Sequence, residues 1–348
     1  MKKVLAIIAA SLVLLGCGGS KTYKVEGNVL GVKGAVEIVD IVSGESLASA
    51  TAEEGAFQLE VKSKTPVIGA LKVNDNPVCV VFLDGDVVKV GGEMPLITVG
   101  GTVANDAYMK AQEEIAAKKV AMAEAQGPVS PDMMAALQEE VMAIYANAYK
   151  ENGDNLFGIF LLMSGAQTFD TAEECLEALN AYPQDIQEYE AVKMYRNQVE
   201  AKLKSAVGGN YTNIAQPNAE GKVIALKSVL KGNKYVLVDF WASWCRPCMM
   251  EMPYLLKAYG DYHEKGFEIY GVSLDNDKDA WMSCIAGNGM SWVNVSELNG
   301  WDADAVRNYG VDSIPANFLI DCSTGKIVAK DLRGEALQAK LAELFGEE

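Results

Sequence analysis

The chain has 348 residues, half of them hydrophobic, and its formal net charge at neutral pH is −17. This length is sufficient for two or three domains with separate apolar cores. Nucleic acids bind to positively charged surfaces, so a chain this acidic is not expected to bind nucleic acid. His263 is the only histidine in the sequence, which excludes most metal sites and catalytic triads that depend on imidazole.

The first residues predict an exported, lipid-anchored protein. A basic start precedes an apolar run over residues 4–15, which is too short for a permanent membrane span. The run ends in Leu14-Leu15-Gly16-Cys17, which resembles the lipobox of bacterial lipoproteins. That resemblance implies a signal peptide over residues 1–16, lipid on Cys17 and a short tether over residues 17–22. The alternative is an ordinary signal peptide that contains a cysteine.

Residues 23–101 are predicted to form a small antiparallel β-sandwich or barrel. Short alternating or apolar runs are separated by Gly, Asn and Asp residues that are typical of turns. The strand-like runs lie at residues 25–29, 36–39, 57–61 and 87–90.

Residues 102–207 are predicted to form an all-helical spacer, because the composition shifts to Ala, Glu, Lys, Gln and Met. Ser130 and Pro131 have the pattern of an N-cap followed by the first helical residue. Thr171 with Glu174 has the pattern of a capping box. We expect the methionine-rich stripes of these helices to lie in the core rather than on a binding face.

Residues 208–348 alternate between strand-like and helix-like segments. Apolar runs at 235–240, 267–273, 317–321 and 327–330 predict strands, and the segments at 248–263, 279–286, 303–309 and 335–345 predict helices. This order predicts an α/β sheet with an antiparallel hairpin at one edge.

Cys245 and Cys248 lie where the first of these strands gives way to a helix. Unpaired N–H groups and the macrodipole at a helix N-terminus favour a thiolate, so the pKa of Cys245 is expected to fall below the free value of about 8.5. Arg246 adds a fixed positive charge beside it. Cys248 lies on the same face of the first turn, so the pair can close a disulfide without moving the helix. Trp244 is expected to form an apolar rim.

This pattern predicts thiol-disulfide exchange, in which Cys245 attacks a partner's disulfide and Cys248 resolves the mixed disulfide. Asp239, at the end of an apolar strand, is the candidate proton acceptor, because burial raises the pKa of a carboxyl group toward neutrality. The alternative for Asp239 is a strand-end acid bonded to the backbone. A structural zinc site is not expected, since no second pair of ligands has suitable spacing.

Val238-Asp239-Phe240-Trp241-Ala242-Ser243-Trp244-Cys245-Arg246-Pro247-Cys248, with Glu251 and Pro253 after it, resembles the thioredoxin superfamily. It is more closely similar to the membrane-tethered TlpA/ResA-like disulfide reductases. The similarity spans roughly residues 208–348 and also includes Gly271-Val272-Ser273-Leu274-Asp275, Tyr309-Gly310-Val311, Ile314-Pro315 and Phe318-Leu319-Ile320-Asp321.

The resemblance implies a thioredoxin-like fold for this region. It assigns Cys245 as the attacking cysteine, Cys248 as the resolving one, Asp239 as the buried acid and Pro315 as a cis-proline. The loop of the cis-proline would pack against the cysteine pair and bind an extended substrate as an added strand. The expected substrate-facing residues are Trp244, Arg246 and Ile314. Arg246 stands where Gly or Glu is usual, and Ala316 where Thr is common.

The expected function is therefore a thiol:disulfide oxidoreductase that reduces disulfides of envelope proteins. Electrons would come from a membrane thiol-transfer protein, no cofactor or metal is expected, and the lipid on Cys17 would hold the chain in the cell envelope, facing the periplasm. One alternative is a disulfide oxidase or isomerase. Another is a non-enzymatic envelope binding protein that uses residues 23–207. The front of that region resembles the small β domain of unknown function that precedes thioredoxin-like domains in Bacteroidetes lipoproteins.

The four remaining cysteines, Cys79, Cys175, Cys284 and Cys322, have no diagnostic spacing. They are expected to be buried, inert thiols. Their spacing leaves open a structural disulfide between two of them.

Overall fold

The structure is a computed structural model that describes residues 20–124, 130–166 and 169–346. The chain divides into two compact units, one up to Tyr195 and the other beginning at Arg196. The predicted signal peptide and Cys17 lie outside the described residues, so their roles stay predictions. Within the described ranges, no helix combines the length and the apolar character that a membrane crossing requires.

The first unit begins with eight strands that form two four-stranded sheets. The strands are β1 (Lys21–Asn28), β2 (Gly34–Asp40), β3 (Ser46–Ala52), β4 (Ala56–Ser63), β5 (Val67–Val73), β6 (Asn76–Leu83), β7 (Val87–Glu93) and β8 (Leu96–Gly100). Their orders are β4-β1-β7-β8 and β3-β2-β5-β6. Side chains alternate between buried and exposed along β4, as in a sheet with one face on a core.

The predicted antiparallel β region is confirmed, with one exception. The strands β1 and β7 pair in parallel, with Val25 opposite Val88. A parallel pair needs a long connection, and here the chain forms the whole second sheet between these two strands.

Six helices follow, which confirms the predicted helical segment. They are α1 (Val103–Glu124), α2 (Pro131–Asn152), α3 (Leu156–Met163), α4 (Ala172–Ala181), α5 (Gln184–Gln187) and α6 (Glu190–Lys204). Both predicted caps form: Ser130 Oγ accepts the N–H of Met133 at 3.2 Å, and Thr171 Oγ1 accepts that of Glu174 at 3.2 Å.

The expectation that the methionine stripes lie in the core is wrong. Met134, Met142 and Met194 are exposed, at 50%, 40% and 52% of their surface. Among these helices, α3 contributes most of its length to the core, with Leu156, Phe157, Ile159, Leu161 and Leu162 buried. Phe157 of this helix packs edge-on against Phe82 of β6, with ring centroids 5.8 Å apart.

The second unit is built on a five-stranded sheet. Its elements are β9 (Ala215–Pro217), β10 (Val223–Ala225), α7 (Leu226–Val229), β11 (Tyr235–Trp241), α8 (Arg246–Tyr262), β12 (Phe267–Ser273), α9 (Lys278–Asn288), β13 (Val293–Ser296), α10 (Asp304–Tyr309), β14 (Ala316–Asp321), β15 (Lys326–Lys330) and α11 (Glu335–Phe345). The sheet order is β13-β12-β11-β14-β15, while β9 and β10 form a separate hairpin.

The three strands β11, β12 and β13 are parallel, and β14 and β15 run antiparallel beside them. This is the thioredoxin-like α/β fold that the sequence resemblance implies, so the predicted fold class is confirmed. Three short strands, β9, β10 and β13, and the short helix α7 were not predicted, because three or four residues carry too little periodicity.

The second unit begins at Arg196, inside α6, rather than at the predicted residue 208. Contacts within the unit account for the difference. The buried Ser205 Oγ donates to the carbonyl of Tyr309 at 2.8 Å, and Lys202 forms an ion pair with Asp312. The end of α6 therefore packs as part of the second unit.

Candidate active site

Cys245 and Cys248 form a disulfide at the N-terminus of α8, with Cα atoms 5.3 Å apart. Cys245 is the N-cap of the helix, and its Sγ accepts the backbone N–H of Cys248 at 3.1 Å. Pro247 occupies the first turn, where a missing N–H leaves no hydrogen bond unmade. The structure thus places both predicted cysteines at the end of a helix that favours a negative charge.

The disulfide is covered more closely than its neighbours. Cys245 exposes 4% of its surface and Cys248 2%, whereas Trp244 exposes 56%. Arg246 is also exposed. A partner therefore reaches the sulfurs only by seating against the side chains that surround Cys245.

Asp239 lies near the end of β11 and exposes only 4% of its surface. Burial raises its pKa to about 7, the positive charge of Arg333 opposes the rise, and the negative charge of Glu251 adds to it. Within the described chain, no backbone N–H is hydrogen-bonded to this carboxyl group, which disfavours the alternative of an acid bonded to the backbone. A carboxyl group with this pKa can exchange a proton near neutral pH.

The predicted cis-proline loop lies at the same end of the sheet. The Ile314–Pro315 peptide bond is cis. The register of β11 and β14 places Ala316 opposite Phe240, so Pro315 lies level with the start of the turn that leads to the cysteines. Ile314 is half-buried and packs against the core cluster that contains both cysteines.

Asp275 is a site residue to which the sequence analysis gave no role. Its carboxyl group is buried and accepts hydrogen bonds from the N–H and Oγ of Ser243, at 3.0 and 2.5 Å, and from Ser273 Oγ at 2.7 Å. These bonds fix the turn two residues before Cys245. Its position just after β12 was a usable signal, because the carboxyl ends of parallel strands lie at one edge of a sheet.

Glu251 and Arg333 complete the surroundings of Asp239. Glu251 Oε2 accepts the N–H of Gly334 at 2.7 Å, and the Arg333 guanidinium donates to the carbonyls of Leu332 and Pro315. In the sequence, Glu251 stands out only as part of a family pattern. No local signal marks Arg333, because only the fold brings it to Pro315 and within electrostatic reach of Asp239.

The other cysteines are not paired with each other, although only Cys175 is buried as predicted. The Sγ atom of Cys175 lies 3.9 Å from the hydroxyl of Tyr195. Cys79, Cys284 and Cys322 are half-buried free thiols. Burial raises the pKa of Cys79 and of Cys322 to about 12, which keeps both as unreactive thiols at neutral pH.

Comparisons with known proteins place the second unit in a family. Residues 207–330 match the AhpC/TSA family. The thiol-disulfide oxidoreductase ResA of Bacillus cereus (strain ATCC 10987 / NRS 248) is 32% identical over 150 residues, which cover 43% of this chain and 83% of that protein. ResA of Bacillus anthracis is 34% identical over 148 residues, covering 42% and 82%.

Solved structures of similar proteins cover a similar share of the chain. The thioredoxin domain of a thiol-disulfide oxidoreductase from Bacteroides vulgatus is 36% identical, with a TM-score of 0.38, and covers 40% of this chain and 98% of that one. A thiol-disulfide oxidoreductase from Bacteroides fragilis is 34% identical, with a TM-score of 0.37, and covers 39% and 98%.

The similarity to ResA extends over most of the length of that protein. The match to the AhpC/TSA family, over residues 207–330, includes the disulfide, the buried acid and the cis-proline. The chain belongs to the TlpA/ResA-like thiol-disulfide oxidoreductases, and its second unit is their thioredoxin-fold domain.

Proposed function

We propose that this protein reduces disulfides of envelope proteins through a cycle of Cys245 and Cys248 between dithiol and disulfide. The observation that carries the proposal is the disulfide at the start of α8, together with a buried acid, near the end of the preceding strand, whose pKa is about 7. An oxidoreductase of this family acts on disulfide-containing proteins, and the nearly covered pair suits a partner that presents an extended segment.

The cycle balances in two exchange steps. The Cys245 thiolate attacks one sulfur of the substrate disulfide, which forms a mixed disulfide and releases the other sulfur as a thiol after it takes up a proton. Cys248 then gives its proton to Asp239 and attacks the Sγ of Cys245. The second substrate sulfur leaves as a thiolate and becomes a thiol by taking up a proton, and the pair is left as the disulfide described above. The substrate gains two electrons, and the cysteine pair loses them.

The oxidised pair must be reduced again before the next cycle. We propose that a membrane thiol-transfer protein supplies the two electrons by the same exchange in reverse. Lipid on Cys17 would hold the chain at the membrane on the periplasmic side, within reach of such a donor. Replacing Cys17 by Ser is expected to move the protein from the membrane fraction to the soluble fraction, while reductase activity in solution stays unchanged.

Reduction of insulin disulfides by the full chain tests the reaction. Cys245→Ser should abolish turnover, and Cys248→Ser should accumulate a mixed disulfide with the substrate, because no resolving thiol remains. Cys284→Ser is the matched control: it removes a half-buried thiol that lies 3.5 Å from Met249, and it should keep full activity. Loss of turnover in this control, or full turnover in Cys245→Ser, would contradict the proposed cycle.

The reduction potential distinguishes the direction of the reaction. A reductase should have a potential of about −250 mV or lower, whereas about −120 mV would indicate an oxidant. Equilibration of the pair with glutathione buffers, followed by trapping of free thiols, measures this value. A folded chain with no exchange activity would favour a binding protein that uses residues 23–207.

A further inference from the structure

Arg333 lies in the short segment between β15 and α11 and contacts the loop of the cis-proline. Its guanidinium donates to the carbonyl of Pro315 and, at 2.9 Å, to that of Leu332. The side chain is one-third exposed, and its ion-pair partner, Asp331, lies at 3.9 Å and is itself about half exposed. An exposed pair at that distance contributes little, so carbonyl oxygens chiefly hold the guanidinium in place.

The segment with Arg333 continues the contact with β14 beyond the end of the strand ladder. The N–H of Asp331 donates to the carbonyl of Asn317 at 2.9 Å. The side chain of Asn317 then bonds to both the carbonyl and the N–H of Leu332, at 2.8 and 2.9 Å. Arg333 adds one more bond between the two segments, because its guanidinium donates to the carbonyl of Pro315. The cis-proline loop is therefore held by a side chain at the point where the strand ladder ends.

The same segment is also bound to the helix that carries the cysteines. The N–H of Gly334 donates to Glu251 of α8 at 2.7 Å. Glu251 lies three residues after Cys248, on the same side of the helix. One short segment thus joins the start of α8 to the cis-proline loop.

Two charged groups act on Asp239 in the described structure. Arg333 lowers the pKa of Asp239, and Glu251 of α8 raises it, against the larger effect of burial. Removing the guanidinium charge would leave burial and Glu251 unopposed. The carboxyl group would then hold its proton to a higher pH and could accept the proton of Cys248 only under more alkaline conditions.

We propose that Arg333 is a positioning residue that couples the cis-proline loop to the proton transfer in the resolving step. Its contact with the carbonyl of Pro315 fixes the loop where substrate binds, its contact with the carbonyl of Leu332 holds the guanidinium in place, and its charge keeps Asp239 ready to accept a proton from Cys248. The inference rests on the proposed reductase cycle and adds a residue that acts through Asp239 and Pro315 rather than on the sulfurs.

The test measures resolution of the mixed disulfide in the full chain, as a function of pH, by stopped-flow fluorescence with insulin as substrate. In the wild type, the rate should rise through a midpoint near pH 7, because Asp239 must lose its proton first. Arg333→Gln should move this midpoint upward by about half to one pH unit. It should also raise the KM for insulin, measured in steady-state turnover, several-fold. Arg333→Lys should restore the midpoint, since it keeps the charge. Its KM should stay raised, because a single ammonium cannot reproduce the two-carbonyl contact.

Two further variants test whether the effect is specific to Arg333 and whether it passes through Asp239. Arg307→Gln removes an arginine of α10 that pairs with Asp304, and it should change neither the midpoint nor the KM. Asp239→Asn combined with Arg333→Gln should resolve slowly, with no midpoint near neutral pH, because the group through which Arg333 acts is absent.

The inference is overturned if Arg333→Gln, correctly folded, keeps the wild-type midpoint and KM. It is also overturned if, in the Asp239→Asn background, adding Arg333→Gln still shifts a midpoint in the pH dependence of the resolution rate. Should Arg333→Gln fail to fold, Arg333→Lys decides: a wild-type KM in that variant contradicts the role in holding the loop. A wild type that reduces no disulfide would contradict the proposed function itself, which is a different outcome from an active enzyme that is indifferent to Arg333.

Discussion

Asp239 is a carboxyl group that the fold buries in the central strand, without an ion pair to any residue that the structure describes. An ionised acid in such a place is costly, and the cost appears as the rise of its pKa from 3.8 to about 7. Acids with a pKa near the working pH serve as proton acceptors and donors, so the burial that weakens the fold gives Asp239 the pKa that the proposed proton transfer needs. In the proposed cycle, the residue would therefore serve function at the expense of stability.

We expect Asp239→Asn to be more stable than the wild type at pH 8 by on the order of 2–4 kcal/mol, and to differ little at pH 4. The folded state holds the Asp239 proton more tightly than the unfolded state, because the pKa is higher in the fold. The stability that this tighter proton binding contributes is fully present below about pH 4 and is lost as the pH rises through about 7. Urea denaturation of the oxidised proteins at both pH values measures the difference.

Asp302→Asn is the control for this experiment, because Asp302 is an exposed acid in the same unit. It should leave the pH dependence of the unfolding free energy as in the wild type. An Asp239→Asn variant with the same stability difference at pH 4 and pH 8 would show that the carboxyl group does not titrate with a raised pKa.

At the scale of the elements, the strands that carry the site are packed without room for added atoms. Gly271 of β12 lies opposite Asp239 in the sheet register. A methyl group at Gly271 would lie 2.5 Å from Asn294 Oδ1 and 3.1 Å from Trp241 Nε1. The absence of a side chain at this position lets β13 and the end of β11 approach β12 closely.

Gly271→Ala is therefore expected to lower the unfolding free energy by about 1–3 kcal/mol, because the new methyl group displaces buried neighbours. Gly260→Ala is the matched variant: Gly260 is an exposed residue within α8, and nothing lies within 4 Å of its added methyl group. It should raise stability by about 0.5–1 kcal/mol through the better helix propensity of alanine. Chemical denaturation of both variants tests the pair, and a Gly271→Ala variant as stable as the wild type would contradict the packing described.

At the scale of the whole molecule, the boundary between the two units lies within a single helix. The last residues of α6 pack against the backbone beside Gly310, and Ser205, just after the helix, bonds to Tyr309. An added methyl group at Gly310 would lie 2.6 Å from Lys202 N and 2.9 Å from the carbonyl of Gln198. The end of the helix is thus part of the thioredoxin-fold domain, although its sequence continues the helical segment.

A fragment that begins at Arg196 should therefore be more stable than one that begins at residue 208, by on the order of 2–4 kcal/mol. The shorter fragment loses the hydrogen bond from Ser205 to Tyr309 and the buried surface of Val199 and Ala201. Urea denaturation of the two fragments measures the difference. A fragment that begins at residue 190 serves as control and should gain little further stability. Equal stability for the starts at 196 and 208 would place the boundary where the sequence predicted it.

The sequence by itself determined the features that depend on neighbouring residues. The apolar strand before Cys245, the helix after it and the spacing to Cys248 are local, and together they predict the disulfide and its chemistry. The caps at Ser130 and Thr171 are local as well. The same kind of signal placed Asp239 at the end of a buried strand and predicted its raised pKa.

Only the tertiary structure decided which distant residues meet. Arg333 reaches Pro315 because β15 runs antiparallel to β14, and Asp275 reaches Ser243 because β12 and β11 end at the same edge of the sheet. Strand register and packing between elements fix these contacts, and no short stretch of sequence encodes either. The exposure of the methionine stripes and the position of the unit boundary depend on packing in the same way. The positions of the two cysteines at the start of a helix are therefore local information, whereas the groups that surround them are brought there by the fold.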